Sequence, residues 1–299
     1  MISYYKNGIE KAMEVLVEFD ILQTPVCFTQ IFSALSNEIR LMRYSEYMKR
    51  CQCSLEDTIA VMQSSDGACI YKPSVGKYLI FYNDVDPRMG RRERFTIAHE
   101  LGHYFLGHLE KAGTNILSRG ELSESEYSRY EREADIFARN LLSPAPLAYR
   151  VFYYSSREEA YTNTQKVFGI SYQAAVTRLN CIDADLNYYS GLMTQDCYKI
   201  SIPFKKICSS CGTILEDGKD ECPYCSSSRS HYELIDPDKP RKPTPKEMGF
   251  MTYEEIEEEA RLEKIRIRHR ETLLWLREMD EAEEERKRQK MYKYLGKYL

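Results

Sequence analysis

The stretch Arg94-Phe-Thr-Ile-Ala-His99-Glu100-Leu-Gly-His103 decides how the rest of the chain reads. It carries HExxH within residues 91–107, a predicted helix whose Phe95, Ala98, Leu101, Phe105 and Leu106 supply the apolar faces that bury it. Residues four apart lie one above the other on a helix, so His99 and His103 can present ring nitrogens to a single zinc ion. Glu100 stands beside them. It is close enough to a water at the metal to take its proton during attack on a peptide carbonyl, but it is not placed as an equal ligand.

A catalytic zinc has three protein ligands and one open position, so a third ligand is required. Position 109 is Leu and position 106 is not Gly, which excludes the metzincin histidine, and His108 is expected to lie off the ligand face. The better source is Tyr130-Glu131-Arg-Glu133-Ala-Asp135, inside a second predicted amphipathic helix over Glu121–Leu142 that stops at Ser143-Pro144. Glu131 and Asp135 share one face. Glu131 is the expected third ligand, and Asp135 can accept the other N–H of a ligand histidine and fix its tautomer. Glu133 points elsewhere on the helix and is the alternative ligand. Tyr130 is a weak candidate for stabilising an oxyanion, with packing the more ordinary role.

Upstream, residues 7–20 show helical periodicity through Ile9, Met13, Leu16 and Val17, ended by Pro25. A short helix over Phe28–Leu35 and a β-prone stretch, Ile39–Tyr47, follow. Ala68–Tyr71 and Lys77–Tyr82 flank the turn Pro73–Gly76 and predict a β-hairpin, with the polar loop Asp84–Gly90 after it. A strand at Lys77–Asn83, just ahead of the zinc helix, offers an edge to which an extended substrate could add.

Downstream, helix continues to about residue 182, and Tyr198–Phe204 reads as a strand leading into Cys208-Ser-Ser-Cys211-Gly212 and Cys222-Pro-Tyr-Cys225. This CxxC-x10-CxxC pattern presents four thiolates, which saturate a tetrahedral zinc and leave no place for a reactive water, so the expected site is structural. The small unit around it resembles a zinc ribbon and would draw folding energy from the metal. Asp236–Pro245 reads as a charged, proline-rich linker. Thr252 and Glu255 form a capping box that starts a charged helix to about residue 294. Ile256, Ala260, Ile267, Leu274 and Met279 make an imperfect stripe along it, and Trp275 is expected to be buried packing.

The net charge of −4 argues against bulk electrostatic binding to nucleic acid. Lys205, Lys206, Arg229 and His231 around the cysteine pairs are too thin a set to favour DNA over protein docking. The N-terminus has no basic segment followed by an apolar run, and no stretch is apolar enough to span a bilayer, so the expected location is cytoplasmic. In a reducing compartment the two CxxC pairs are metal ligands. The other six of the ten cysteines, Cys51 and Cys53 among them, are expected to be structural core residues.

Arg94–His103 (RFTIAHELGH) followed by Glu131–Pro144 (EREADIFARNLLSP) resembles the ImmA/IrrE family of metallo-endopeptidases. Asp66–Asp84 (DGACIYKPSVGKYLIFYND), Pro25 and Phe168–Leu179 (FGISYQAAVTRL) fit the same pattern, so the resemblance covers roughly residues 1–185. His108 stands one residue further along than the histidine in the family's more usual HELGHxxxH. The resemblance implies a gluzincin-type site with Glu131 at the third-ligand position. It also implies action on helix-turn-helix repressors of phages or mobile elements, relieving repression by cleavage.

The expected fold class is α+β. A mainly helical zincin-like domain with a small antiparallel sheet spans residues 1–200, a zinc ribbon 201–235, and a linker with a long charged helix 236–299. The expected function is a zinc-dependent endopeptidase with one catalytic and one structural Zn2+. The competing reading is a non-catalytic zinc-binding regulator that grips a repressor or another partner through the ribbon and C-terminal helix.

Overall fold

A computed structural model of the chain describes residues 3–87, 92–117, 122–235 and 243–295, and they are mainly helical with two small sheets. It divides into two compact units: the chain up to Lys205 together with a short return segment from Tyr232, and the segment Lys206–His231 together with the C-terminal region.

The first unit opens with α1 (Ser3–Glu18), whose Ile9, Ala12, Met13 and Leu16 are buried at helical spacing. After α2 (Phe28–Ala34), the β-prone stretch splits. Ile39–Arg43 is a strand, β1, and Tyr44–Cys51 is a helix, α3, so the expected strand ends four residues early. Arg43 donates to the Tyr82 hydroxyl at 2.9 Å from the end of β1. A capping box between Ser54 and Asp57 starts α4 (Leu55–Met62).

The hairpin forms as β2 (Gly67–Lys72) and β3 (Lys77–Tyr82), paired antiparallel from Gly67 opposite Tyr82 to Lys72 opposite Lys77. β1 adds in parallel on the other side, Ile39 opposite Tyr78, so the sheet is mixed, with order β1-β3-β2. This overturns one expectation. The strand at Lys77–Tyr82 is central, with both edges paired, and cannot receive a substrate segment; the edge strands are β1 and β2, of which β2 lines the cleft.

α5 (Glu93–Phe105) carries the HExxH motif. Its first turn is anchored by Arg94, which donates to the Val26 carbonyl at 2.7 Å and lies over the Phe28 ring. Ala98 and Leu101 are fully buried, Leu106 is buried, and Phe95 and Phe105 pack against the same core. Gly107, at φ +64°, ends this run and starts α6 (His108–Ala112). α7 (Glu124–Leu142) begins at a Ser123/Glu126 capping box and stops at Ser143-Pro144.

Three glycines set how closely these layers approach. A Cβ on Gly8 would sit 2.9 Å from the Glu133 carbonyl oxygen and the Ile136 side chain, so α1 lies tight on α7. On Gly102, inside the HExxH motif, a Cβ would meet Ala134 Cα and the Phe137 ring at 3.1 Å, so α5 and α7 cross nearly backbone to backbone. On Gly67 it would meet Thr96 Cγ2 at 2.5 Å, which presses β2 onto α5.

α8 (Ala145–Tyr154), α9 (Ala160–Phe168), α10 (Tyr172–Asn180), α11 (Ile182–Leu186) and α12 (Gly191–Lys199) close the core. Tyr198 is therefore helical, and the expected strand begins only at Phe204. A buried ionic cluster ties the ends of α7, α10 and α11. Asp185 accepts from Arg178 at 2.6 Å, from Arg139 at 2.9 and 3.0 Å, and from Asn140 at 2.9 Å.

In the second unit, β4 (Phe204–Cys208) pairs antiparallel with β5 (Ile214–Leu215), and β6 (Ser230–Leu234) completes a sheet of order β5-β4-β6. The Thr252/Glu255 box forms and starts α13 (Tyr253–Leu295). Trp275, expected to be buried, is 57% exposed, and Ile256, Ala260, Ile267 and Met279 are exposed as well. The Leu274 side chain and residues 236–242 of the expected linker lie outside the described parts. Among the described residues, no helix is long and apolar enough to cross a membrane.

The Asp185 cluster has a pH signature. Burial opposes ionisation of Asp185, but the Arg139 hydrogen bonds and the charges of Arg178 and Arg139 outweigh it and hold the carboxyl below its usual value. A carboxylate depressed by folding contributes stability that is complete above its unfolded pKa of about 4 and is lost as pH falls through the folded value. Asp185→Ala should cost about 3–5 kcal/mol at neutral pH, because it leaves the buried Arg178 and the half-buried Arg139 without their counter-charge. It should also flatten the acid limb of the stability profile. Denaturant unfolding followed by tyrosine signal between pH 3 and 7 reads both effects. A loss below about 1 kcal/mol would show that water or other groups satisfy the two arginines.

Candidate metal centres

The α5–α7 crossing brings His99, His103 and Glu131 together. His99 Nε2 and His103 Nε2 are 3.0 Å apart, His99 Nε2 is 3.4 Å from Glu131 Oε2, and His103 Nε2 is 3.6 Å from Glu131 Oε1. A tetrahedral zinc with bonds of about 2.1 Å to nitrogen and oxygen spaces its ligands about 3.4 Å apart, so this triangle matches one face of such a site.

The proton inventory points the same way. His99 Nδ1 lies 2.9 Å from the Asp135 carboxylate, which can only accept, so this nitrogen carries a proton and the neutral ring has its lone pair on Nε2. With both rings neutral and Nε2 free, two nitrogens and a carboxylate converge on one point, an arrangement that suits a metal cation. Burial opposes a charge on His99, yet the hydrogen bonds of Asp135 and Glu131 and the charge of Glu100 outweigh it and raise its pKa well above the usual value. Burial and the charges of His99 and His108 push His103 well below it. One ring is drawn toward a proton by the carboxylates around the site, and the other is denied one by burial and by its neighbours' charges.

Glu100 is buried beside this triangle, next to β2. Desolvation, with a further push from the Glu131 charge, drives its carboxyl up to about 7, against the opposing His99 charge and the Cys69 backbone hydrogen bond. A carboxyl in that range both takes and returns protons near neutrality. Gly67 is what allows this neighbourhood, since its Cβ would stand 3.3 Å from Glu100 Oε1.

The site opens into a cleft of about 1320 Å³. One wall is β2 with the loop before it, and the other is Arg139 with the start of α10, where Ser171 caps the helix by accepting from the Ala174 N–H. His99, Glu100, His103, Glu131 and Asp135 all line it.

Other expectations are placed differently. Glu133 is not among the converging ligand atoms; its carboxylate lies 3.2 Å from His108 Nε2. His108 does leave the ligand face, but Gly107 turns it back so that its Nδ1 lies 2.9 Å from His103 Nδ1. Reading HExxH on a straight helix could not find this contact, because the helix has ended by Leu106. Tyr130 packs against the His108 ring at 4.6 Å and does not line the cleft.

The four cysteines form the second cluster. Cys208–Cys225 and Cys211–Cys222 sulfurs are 3.5 Å apart and Cys211–Cys225 3.6 Å. These separations are far too long for a disulfide and close to the roughly 3.8 Å between thiolates on a tetrahedral zinc. The two knuckles share one backbone device. Gly212 at φ +77° donates to the Cys208 carbonyl, and Ser226 at φ +51° donates to the Cys222 carbonyl. Burial opposes ionisation of Cys208, but the backbone N–H groups of Cys211 and Ser210 aimed at its sulfur bring it down to about 7. Of the remaining cysteines only Cys69 and Cys197 are core residues. Cys27 and Cys51 are exposed and Cys53 and Cys181 half-buried, which corrects the expectation that all six are structural.

Cleft and ligand geometry define a metallopeptidase-like domain, and comparison with known families agrees. A peptidase family model described as the IrrE N-terminal-like domain matches residues 43–180, a little under half of the chain. No curated protein matches the chain. The match begins at Arg43, the last residue of β1, and so takes in β2, β3 and helices α3 to α10, including every residue of the histidine centre.

The crossing of α5 and α7 at Gly102 is testable. Gly102→Val places three extra carbons against Ala134 and Phe137 and should cost about 1–3 kcal/mol or more by overpacking. Zinc binding at the histidine centre should weaken in the same variant, because Glu131 moves away from His99 and His103. Unchanged stability and unchanged zinc binding together would show that the crossing is not set by this glycine.

Proposed function

We propose that this chain is a zinc-dependent endopeptidase in which His99, His103 and Glu131 hold the catalytic metal, Glu100 is the general base and Asp135 orients His99. The observation that carries this reading is the convergence of three ligand atoms at zinc-like spacing beside a buried carboxylate raised to about 7, inside a cleft of about 1320 Å³. Zinc bound there would act as a Lewis acid, polarising the scissile carbonyl and acidifying a water.

The residues divide the remaining work. Glu100 takes the proton from the attacking water at its carboxylate and passes it to the leaving amine, a role that suits its raised pKa. The β2 edge at Gly67–Cys69 lines the cleft. On the side away from β3 the N–H groups are engaged, Tyr71 to the Asn115 carbonyl at 2.9 Å, Cys69 to Glu100 and Gly67 to Ser64 Oγ at 3.3 Å. An extended substrate lying along that edge would therefore donate its own N–H groups to backbone carbonyls there, with its scissile carbonyl beside the candidate metal site.

The assigned organisation is a peptidase domain over residues 1–200, a zinc ribbon over 201–235 and a linker with the charged helix over 236–299, acting in the cytoplasm where thiols stay reduced. The four cysteines hold a structural zinc. The substrate assigned is a helix-turn-helix repressor of a phage or mobile element, by family resemblance, with the ribbon and helix as docking modules.

Elemental analysis should find two zincs per chain, and serine at Cys208 and Cys211 should reduce the count to one without removing the zinc at the histidines. Incubation with a repressor encoded beside the gene should give one discrete cut. Glu100→Gln should stop that cut, by about 10²-fold or more, while both zincs stay bound. Full cutting by Glu100→Gln would sink the assignment of the base. Relief of repression by Glu100→Gln without any cut would instead establish the non-catalytic regulator.

A further inference from the structure

The two histidines of the centre are held in different ways. His99 rests on Asp135, a half-exposed carboxylate at the cleft. His103 rests on a chain that the cleft does not reach. Its Nδ1 lies 2.9 Å from His108 Nδ1, and His108 Nε2 lies 3.2 Å from Glu133 Oε2. His108 is completely buried, the Glu133 side chain nearly so, and neither lines the cleft. Three features build this arrangement: the left-handed turn at Gly107, the Tyr130 ring against His108, and the tight α1–α7 contact of Gly8 with the backbone of Glu133 itself.

Such a chain has one consistent set of protons when a metal is bound. A hydrogen bond between two Nδ1 atoms needs one donor and one acceptor, and an ionised carboxylate only accepts. Glu133 therefore holds the proton of His108 on Nε2, and the neutral His108 ring accepts at Nδ1. His103 must donate from its own Nδ1, which leaves its Nε2 as a lone pair facing His99 and Glu131. The opposite polarity would leave the proton of a neutral His103 on Nε2 and bar it from a metal.

We propose that His108 and Glu133 form a buried two-residue relay that fixes the tautomer and orientation of His103 and thereby tunes the metal affinity of the centre. Both are positioning residues, since neither touches substrate or metal. The relay gives His103, through a neutral ring, the tautomer that Asp135 imposes on His99 directly. It keeps the second carboxylate one ring further from the metal and out of the solvent-filled cleft. The inference rests on the zinc centre proposed above.

The test uses the full chain. Nitrogen-15 histidine NMR reads the tautomer of each ring, and chelator competition with the His99 and His103 signals as the readout measures zinc affinity at this centre alone. In the zinc-loaded protein, His103 should carry its proton on Nδ1 and His108 on Nε2. His108→Phe fills the space without an acceptor and should weaken zinc binding about 10–100-fold. His108→Asn, whose side-chain carbonyl can take the place of Nδ1, should recover most of that loss, which a merely space-filling role would not produce. Unchanged affinity in His108→Phe, or a His108 proton on Nδ1 in the loaded wild type, overturns the relay while leaving the zinc centre standing. If His108→Phe does not fold, the wild-type tautomer decides. No zinc-dependent change at either His99 or His103 removes the centre, and the relay with it.

Discussion

The near-contact of two helix backbones at Gly102 and Ala134 is the constraint on which the candidate active site depends. HExxH places two imidazoles on one face of α5, but a metal also needs a ligand from elsewhere. A carboxylate on α7 reaches that face only if the helices cross closely. With no side chain at 102 and a methyl group at 134, they do. The glycine of HELGH is therefore a packing residue with a catalytic consequence. It lies between the two histidines because that is where the helices are nearest.

The same crossing distributes the charge of the site. α7 presents Glu131 to the ligand point, Asp135 to His99 and Glu133 to His108. Three carboxylates at spacings of two residues thus serve three positions around one α5 face. β2 closes the remaining side and excludes water from Glu100, and the resulting desolvation is what raises that carboxyl. The ionic cluster at Asp185 anchors the C-terminal end of α7, so the helix that bears the carboxylates is tied at two points, at its middle through Gly8 to α1 and at its end through Arg139 and Asn140 to α11.

The histidine cluster and the cysteine cluster show two ways of holding a cation. The cysteine site is local: both knuckles are built by adjacent residues, and Gly212 and Ser226 take the left-handed conformation needed to turn each loop onto its sulfurs. The histidine site is long-range, since its ligands come from elements separated by nearly thirty residues and meet only through the core. This explains why the first was complete in the sequence as a spacing and the second was not.

The sequence by itself determined the elements and most of the chemistry: HExxH on a helix, the ExxxD face that supplies Glu131 and Asp135, the β2–β3 hairpin, the four thiolates and the Thr252/Glu255 capping box. These are features of short period or fixed spacing, set by local backbone geometry. Tertiary structure alone decided which strand is the edge, since the parallel addition of β1 covers β3. It also decided where His108 belongs, because a left-handed glycine follows the end of the helix on which its position had been reckoned, and it is His108 that gives Glu133 its partner. Trp275 makes the same point from the other side. Its apolar neighbours on α13 suggested burial, but burial depends on a surface to pack against, and among the described residues that helix is exposed along its length.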